Sequence, residues 1–203
     1  MTAATLQAFA YFPAMVYRDD HPEWVEYTKA VVAKHYAAAP QDGILLQTGH
    51  MANDPDLKFL VDYLLQSSTE ILRSQGYDVD RYDFYLSGLW GQDVDCNGGT
   101  NVHVHKNSQI SGWLFLEVSE NGSYPVYYDP RKNKEMIELD FLQGDELVNA
   151  SSSVHFKNIL PGTILFANSW MQHQLTQNTS AEKTKSIHFT VSHKDKGCST
   201  CNM

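Results

Sequence analysis

The sequence predicts a mainly β protein with N-terminal helices: an antiparallel jelly-roll barrel of two sheets, with the helices packed on one of them. Three observations predict it. Apolar residues recur at helical spacing through the first third of the chain. After residue 80 the apolar period changes to two, over about eight short segments. Turn signals, rather than long linkers, separate those segments.

The first helix is expected after His21-Pro22. Trp24, Val25, Ala30, Val31, Val32 and Tyr36 then recur at roughly helical spacing to about Ala39. The second is expected from Asn53-Asp54-Pro55, a capping residue followed by proline at the first helical position. Leu57, Leu60, Val61, Leu64, Leu65, Ile71 and Leu72 form its apolar stripe, and Gly76 is its stop.

Strands are expected at Tyr82–Trp90, Asn101–His105, Ile110–Val118, Tyr124–Tyr128, Met136–Leu139, Val154–Ile159, Thr163–Ala167 and Lys185–His193. Asn121-Gly122 and Pro161-Gly162 mark turns between them. In the last strand Ile187, Phe189 and Val191 alternate with Ser186, His188 and Thr190. One face therefore meets the helices and the other lines a cavity. The 203 residues are read as one domain, with a helical part (1–79), a jelly-roll core (80–193) and a cysteine-containing tail (194–203).

Composition narrows the function. The net charge is −9, which argues against nucleic acid as a partner, because phosphate binding needs a basic surface. No stretch is long and apolar enough to suggest a membrane span, and the uncharged start lacks a basic leader region. Three cysteines cannot all pair within the chain, so a reducing, cytoplasmic setting is expected. Cys198 and Cys201 form at most half a zinc site. Asp93-x-Asp95-x-Asn97 opens like a calcium loop, but Val104 stands where the loop needs its glutamate.

Histidine is the outlier, at 9 residues against 3 cysteines. His103 and His105 lie two apart on an expected strand, so both rings point to one face and can reach one ion. His173 follows a well-marked strand about 70 residues on. Two histidines on an early barrel strand and one after a late strand is the separation a facial metal triad needs. His188 shares a face with Ser186 and is expected near the cavity, most simply as a hydrogen-bonded core residue. His21, His35, His50, His155 and His193 read as surface, capping or strand-face residues.

The order of motifs resembles a family. Leu89-Trp90 is followed by the run Gly98 to Leu116, which contains His103-Val104-His105-Lys106-Asn107-Ser108-Gln109-Ile110-Ser111-Gly112. Then come Tyr128-Asp129-Pro130-Arg131, Leu160-Pro161-Gly162-Thr163-Ile164-Leu165-Phe166, and Trp170-Met171-Gln172-His173. Over about Trp90 to Val191 this resembles the iron(II)/2-oxoglutarate-dependent oxygenases common in marine bacteria and their phages. The resemblance implies a double-stranded β-helix, cupin-like barrel and a hydroxylase using iron(II), 2-oxoglutarate and oxygen. Its substrate would be a small molecule or an amino-acid or peptide side chain. It implies that His103, His105 and His173 hold the iron, with Asn107 near the site and Arg131 positioning an anion. If the protein is phage-encoded, its setting is the host cytoplasm.

Two departures stand out. The usual set is two histidines and a carboxylate, and here the HxD position reads His103-x-His105. A three-histidine set suits iron(II), and a two-histidine site completed by water or a distant carboxylate stays open. The family also places an arginine about eleven residues after the distal histidine, to grip the far carboxylate of 2-oxoglutarate. Thr184 stands there. A carboxylate needs a cation or several donors to be bound out of water, so Lys185, Arg131, Ser186 and Thr184 are the candidates, with Lys183 and Lys106 as further cations. The rival readings are a three-histidine cupin dioxygenase that does not use 2-oxoglutarate and a non-catalytic jelly-roll binding or phage structural protein.

Overall fold

A computed structural model of the protein describes residues 13–37, 43–131, 136 and 152–197. Among the described residues two α-helices, α1 (Val25–Tyr36) and α2 (Lys58–Ser74), precede most of the strands. The nine strands described there follow the order β1 (Val16–Asp20), β2 (Leu45–Gln47), β3 (Tyr82–Val94), β4 (Ile110–Glu117), β5 (Pro125–Tyr128), β6 (Ser153–His155), β7 (Thr163–Asn168), β8 (His173–Leu175) and β9 (Thr184–Asp195). One sheet has the order β1-β7-β4-β9-β3-β2 and the other β6-β5-β8. Every pairing is antiparallel. The two sheets make the jelly-roll barrel the alternation predicts.

Alternation sorts the side chains into two cores. Ile187, Phe189 and Val191 of β9, Ile110, Leu114 and Leu116 of β4, and Ile164 and Phe166 of β7 face the helices. They pack on Val31, Val32, Leu57, Leu60, Leu64, Ile71 and Leu72. Trp113, Phe115, Leu165 and Ala167 point the other way and meet Tyr127, Ile159, Met171 and Leu175 between the sheets. Gly112 is required on the helix side: a Cβ there would lie 1.8 Å from the carbonyl oxygen of Leu165 and 2.8 Å from the ring of Phe189. The Pro161-Gly162 turn forms as expected, with Gly162 at φ +95°.

The expected cap and proline open a single 3₁₀ turn, Pro55–Leu57, which leads directly into the second helix at Lys58. Asp54 accepts a hydrogen bond from the Asp56 N–H at 2.8 Å and meets His35 Nε2 at 2.7 Å. Some boundaries differ. Val16–Asp20 and Leu45–Gln47, within the part read as helical, are edge strands paired with β7 and β3. Asn101–His105 is not a strand; its one ladder contact is an isolated bridge between His103 and His173. The expected strand at Met136–Leu139 lies, Met136 apart, outside the described residues, as do Cys198 and Cys201. No described helix is long and apolar enough to cross a membrane.

Candidate metal centre

The bridge is what assembles the site. His103 N–H donates to the His173 carbonyl and His173 N–H to the His103 carbonyl, both at 3.0 Å. His105 N–H donates to the Ser169 carbonyl at 3.0 Å. These bonds clip the irregular His103–His105 segment to β8 and to the turn before it. The three rings then converge, with centroids 4.9 Å apart for His103 and His105, 4.6 Å for His103 and His173, and 5.1 Å for His105 and His173. One ligand nitrogen from each lies within 4.8 Å of the others.

Two of the rings are set in their tautomer. His103 Nδ1 lies 2.7 Å from the Asn101 carbonyl and His173 Nδ1 lies 2.8 Å from the Met171 carbonyl. A carbonyl only accepts, so each Nδ1 carries the proton and each Nε2 keeps its lone pair. Burial pushes the His105 imidazole down to about 4 and that of His173 down to about 3. Both are therefore neutral near pH 7, the form that binds metal. Nε2 of His105 and Nε2 of His173 are buried with no hydrogen-bond partner. Such atoms are rare in native structures unless something absent satisfies them. The donor set thus fits a first-row divalent ion.

Further unpartnered polar atoms surround the triad. His188 is 1% exposed and neither of its nitrogens is hydrogen-bonded. Its ring stacks on Trp90 at 4.6 Å and stands edge-on to Trp113 at 5.0 Å and 4.6 Å from His105. The expected hydrogen-bonded core histidine is therefore not what forms. Burial holds its basicity well below the ordinary histidine value. Trp90 Nε1, the Tyr127 hydroxyl and the Ser186 hydroxyl are likewise buried without partners. Gly88 makes room for the Trp90 ring, since a Cβ there would lie 2.2 Å from Cζ3 of Trp90. Trp113 Nε1 donates to Gln92 Oε1 at 3.0 Å.

The other sequence candidates sit elsewhere. Lys185 alternates to the helix side and pairs with Glu117 at 2.8 Å. Lys183 pairs with Asp95 at 3.3 Å. Arg131 is exposed and folds back on Asp129, with Nη2 2.5 Å from its carboxylate. Thr184 is buried, but its hydroxyl accepts from the Ser123 N–H at 3.0 Å. Asn107, at φ +62°, turns the chain into β4, and its carbonyl accepts from Ser192 Oγ at 2.6 Å. Ser186 and Thr184 share the interior face of β9, and of the two only Ser186, opposite Phe115 and Gln92, has a hydroxyl without a partner. Asp93 does not join the triad either; it lies across from Lys185 on the other face of the sheet. Tyr127, not the neighbouring Tyr128, meets the site; Tyr128 instead accepts from Gln174 at 2.7 Å.

A jelly-roll barrel with three facing imidazoles at one end defines a class of mononuclear metal enzyme folds. A family model described as "Putative 2OG-Fe(II) oxygenase" matches residues 88–190, from β3 through the triad to β9. The chain belongs to this family: it is a non-haem iron oxygenase that uses iron(II) and 2-oxoglutarate. No curated protein matches it. Solved structures share its fold at low identity. A carbocyclase from nogalamycin biosynthesis, described as non-heme and alpha ketoglutarate dependent, aligns at 12% identity and a TM-score of 0.63, over 93% of this chain and 85% of that one. A Pseudomonas putida prolyl-4-hydroxylase aligns at 11% and 0.59, over 91% and 94%. HygX of Streptomyces hygroscopicus, solved with nickel and 2-oxoglutarate, aligns at 10% and 0.58, over 88% and 83%.

Proposed function

We propose that His103, His105 and His173 hold the iron, and that the protein hydroxylates a carbon of a small molecule or of an amino-acid or peptide side chain. The observation that carries this reading is the convergence of three imidazoles within 4.8 Å, with the buried Nε2 atoms of His105 and His173 lacking partners. When bound, iron(II) and 2-oxoglutarate would supply the oxidation with molecular oxygen: the 2-oxo acid would lose carbon dioxide and take up one oxygen atom to become succinate, and the other oxygen atom would go to the substrate.

The chain's own residues do the rest. The Asn101 and Met171 carbonyls hold the protons of His103 and His173 on Nδ1, so both Nε2 lone pairs face the ion. The His103–His173 backbone bridge fixes the spacing of two ligands that are 70 residues apart in the chain. Trp90, Trp113 and Tyr127 wall the interior and keep bulk water from it. Ser186 offers a hydroxyl to the co-substrate from the same interior face. Among the described residues no carboxylate joins the triad, so this ligand set carries no charge of its own and leaves the full charge of the ion to attract an anionic 2-oxo acid.

Anaerobic addition of iron(II) and then 2-oxoglutarate tests the reading. A weak visible charge-transfer band is expected, and His103→Ala or His173→Ala should abolish it. A band that survives both substitutions would overturn the ligand set. Iron binding with no band on adding 2-oxoglutarate would overturn the co-substrate role.

A further inference from the structure

Among the described residues no cation enters the interior that faces the triad. Every described lysine and arginine is exposed or half-buried, and none is among the buried residues. The nearest sequence candidates are engaged elsewhere: Lys185 with Glu117, Lys183 with Asp95 and Arg131 with Asp129. The interior instead holds uncharged donors. Ser186 is 1% exposed and Tyr127 is 3% exposed, and their hydroxyls have no partner.

Register places these donors at a useful depth. Ser186 and His188 are two residues apart on β9, so both face the interior. That step is about 7 Å along a strand, comparable to the length of a five-carbon 2-oxo acid. His188 lies against His105 at the metal end, and Ser186 lies deeper, opposite Phe115. Tyr127 approaches from the facing sheet, paired with His173 and packed beside Trp113. A 2-oxo acid chelated at the triad would therefore extend its tail toward hydroxyls rather than toward an ammonium or guanidinium.

We infer that the co-substrate tail is read by hydrogen bonds from Ser186 and Tyr127, without an ion pair, and that the site accepts 2-oxo acids with an uncharged, hydrogen-bond-accepting tail about as well as 2-oxoglutarate. This rests on the proposed role of the triad. The physical reason is an imbalance of costs. A site built around a buried cation loses a charge-assisted bond, and leaves that cation unpaired, when the ligand tail is neutral. A site built from hydroxyls loses no charge partner, and it spares a neutral tail the desolvation of a carboxylate.

The test uses the iron(II)-loaded full chain under anaerobic conditions and reads binding, not turnover, by the charge-transfer band and by the melting temperature. The two ligands are 2-oxoglutarate and 2,5-dioxohexanoate, in which a methyl ketone replaces the far carboxylate without change of length. Dissociation constants within tenfold of each other are expected; a neutral ligand weaker by more than tenfold overturns the inference. Ser186→Ala and Tyr127→Phe, both conservative, should weaken the two ligands together by about tenfold. Unchanged affinity in both variants overturns it. Lys132 and Lys134 lie outside the described residues, so their double alanine variant is the cation control, with Lys106→Ala beside it. Affinity for 2-oxoglutarate should stay within tenfold, and a larger loss would identify a cationic anchor and overturn the inference. If neither ligand binds, the triad reading itself falls; if both bind but differ beyond tenfold, only the neutral-tail inference does.

Discussion

Acid should unfold the metal-free protein through its interior imidazoles. Burial holds His105 at about 4 and His173 at about 3, and keeps His188 well below its ordinary value. In an unfolded chain each titrates near 6.5. Between those values the unfolded state binds protons that the folded state refuses. Stability is therefore fully present above about pH 6.5 and is lost as pH falls toward the folded values. At pH 5 the linkage amounts to about 2 kcal/mol for each of His105 and His173, or about 4 kcal/mol for the two, and His188 adds to it in the same direction. The two-ring figure is an upper bound, because a local opening that hydrates one ring removes its share. It is still a large part of the stability of an ordinary domain, roughly 5–15 kcal/mol. Urea unfolding in the presence of a chelator, repeated from pH 8 to pH 5, measures it. The slope below pH 6 should reach at least about two protons, or about 3 kcal/mol per pH unit. His188→Asn should lower the slope, whatever it does to the absolute stability. A flat profile from pH 8 to pH 5, or an unchanged slope in that variant, refutes the reasoning.

Three further substitutions are sharply constrained. Gly112→Ala forces a methyl to 1.8 Å from the Leu165 carbonyl oxygen, a backbone atom of the paired strand. A loss above about 3 kcal/mol is expected in urea unfolding, and a normal midpoint would show that β4 and β7 are not registered as described. Trp113→Phe leaves Gln92 Oε1 without its indole donor and opens space beside His173. It should cost about 1–3 kcal/mol and weaken 2-oxoglutarate binding; a variant with wild-type stability and affinity would contradict that packing. Asp54→Ala removes the cap at the start of the second helix and the partner of His35. About 1–2 kcal/mol should be lost, with the circular dichroism of the folded state retained.

Much of the fold can be read in the sequence where an element is long and one-sided. The stripe from Leu57 to Leu72 and the alternation from Ser186 to Val191 each repeat often enough to fix a face, and the structure buries them accordingly. The short edge strands could not be read. Val16–Asp20 ends in three charged residues and Leu45–Gln47 is three residues long, so neither carries a period; hydrogen bonds from β7 and β3 define them. Asn101–His105 alternates like a strand, yet its one ladder bridge is at His103. The triad was legible because histidine spacing survives that error: the rings meet through one bridge as readily as through a ladder. Tyr127 and Tyr128 were not separable, since a four-residue strand gives no statistical face. The unsatisfied nitrogens of His188 depend on where Trp90 and Trp113 sit across two other strands, which local pattern does not encode.

The paired hydrogen bonds between His103 and His173 join the segment before β4 to the three-stranded sheet. An ion held by the same two residues would close a ring of covalent, coordinate and hydrogen bonds at that seam. Loading the metal should then slow amide hydrogen exchange at His103 and His173 far more than in the helices behind the large sheet. The seam would then act as a latch between the two sheets, set by the bound ion.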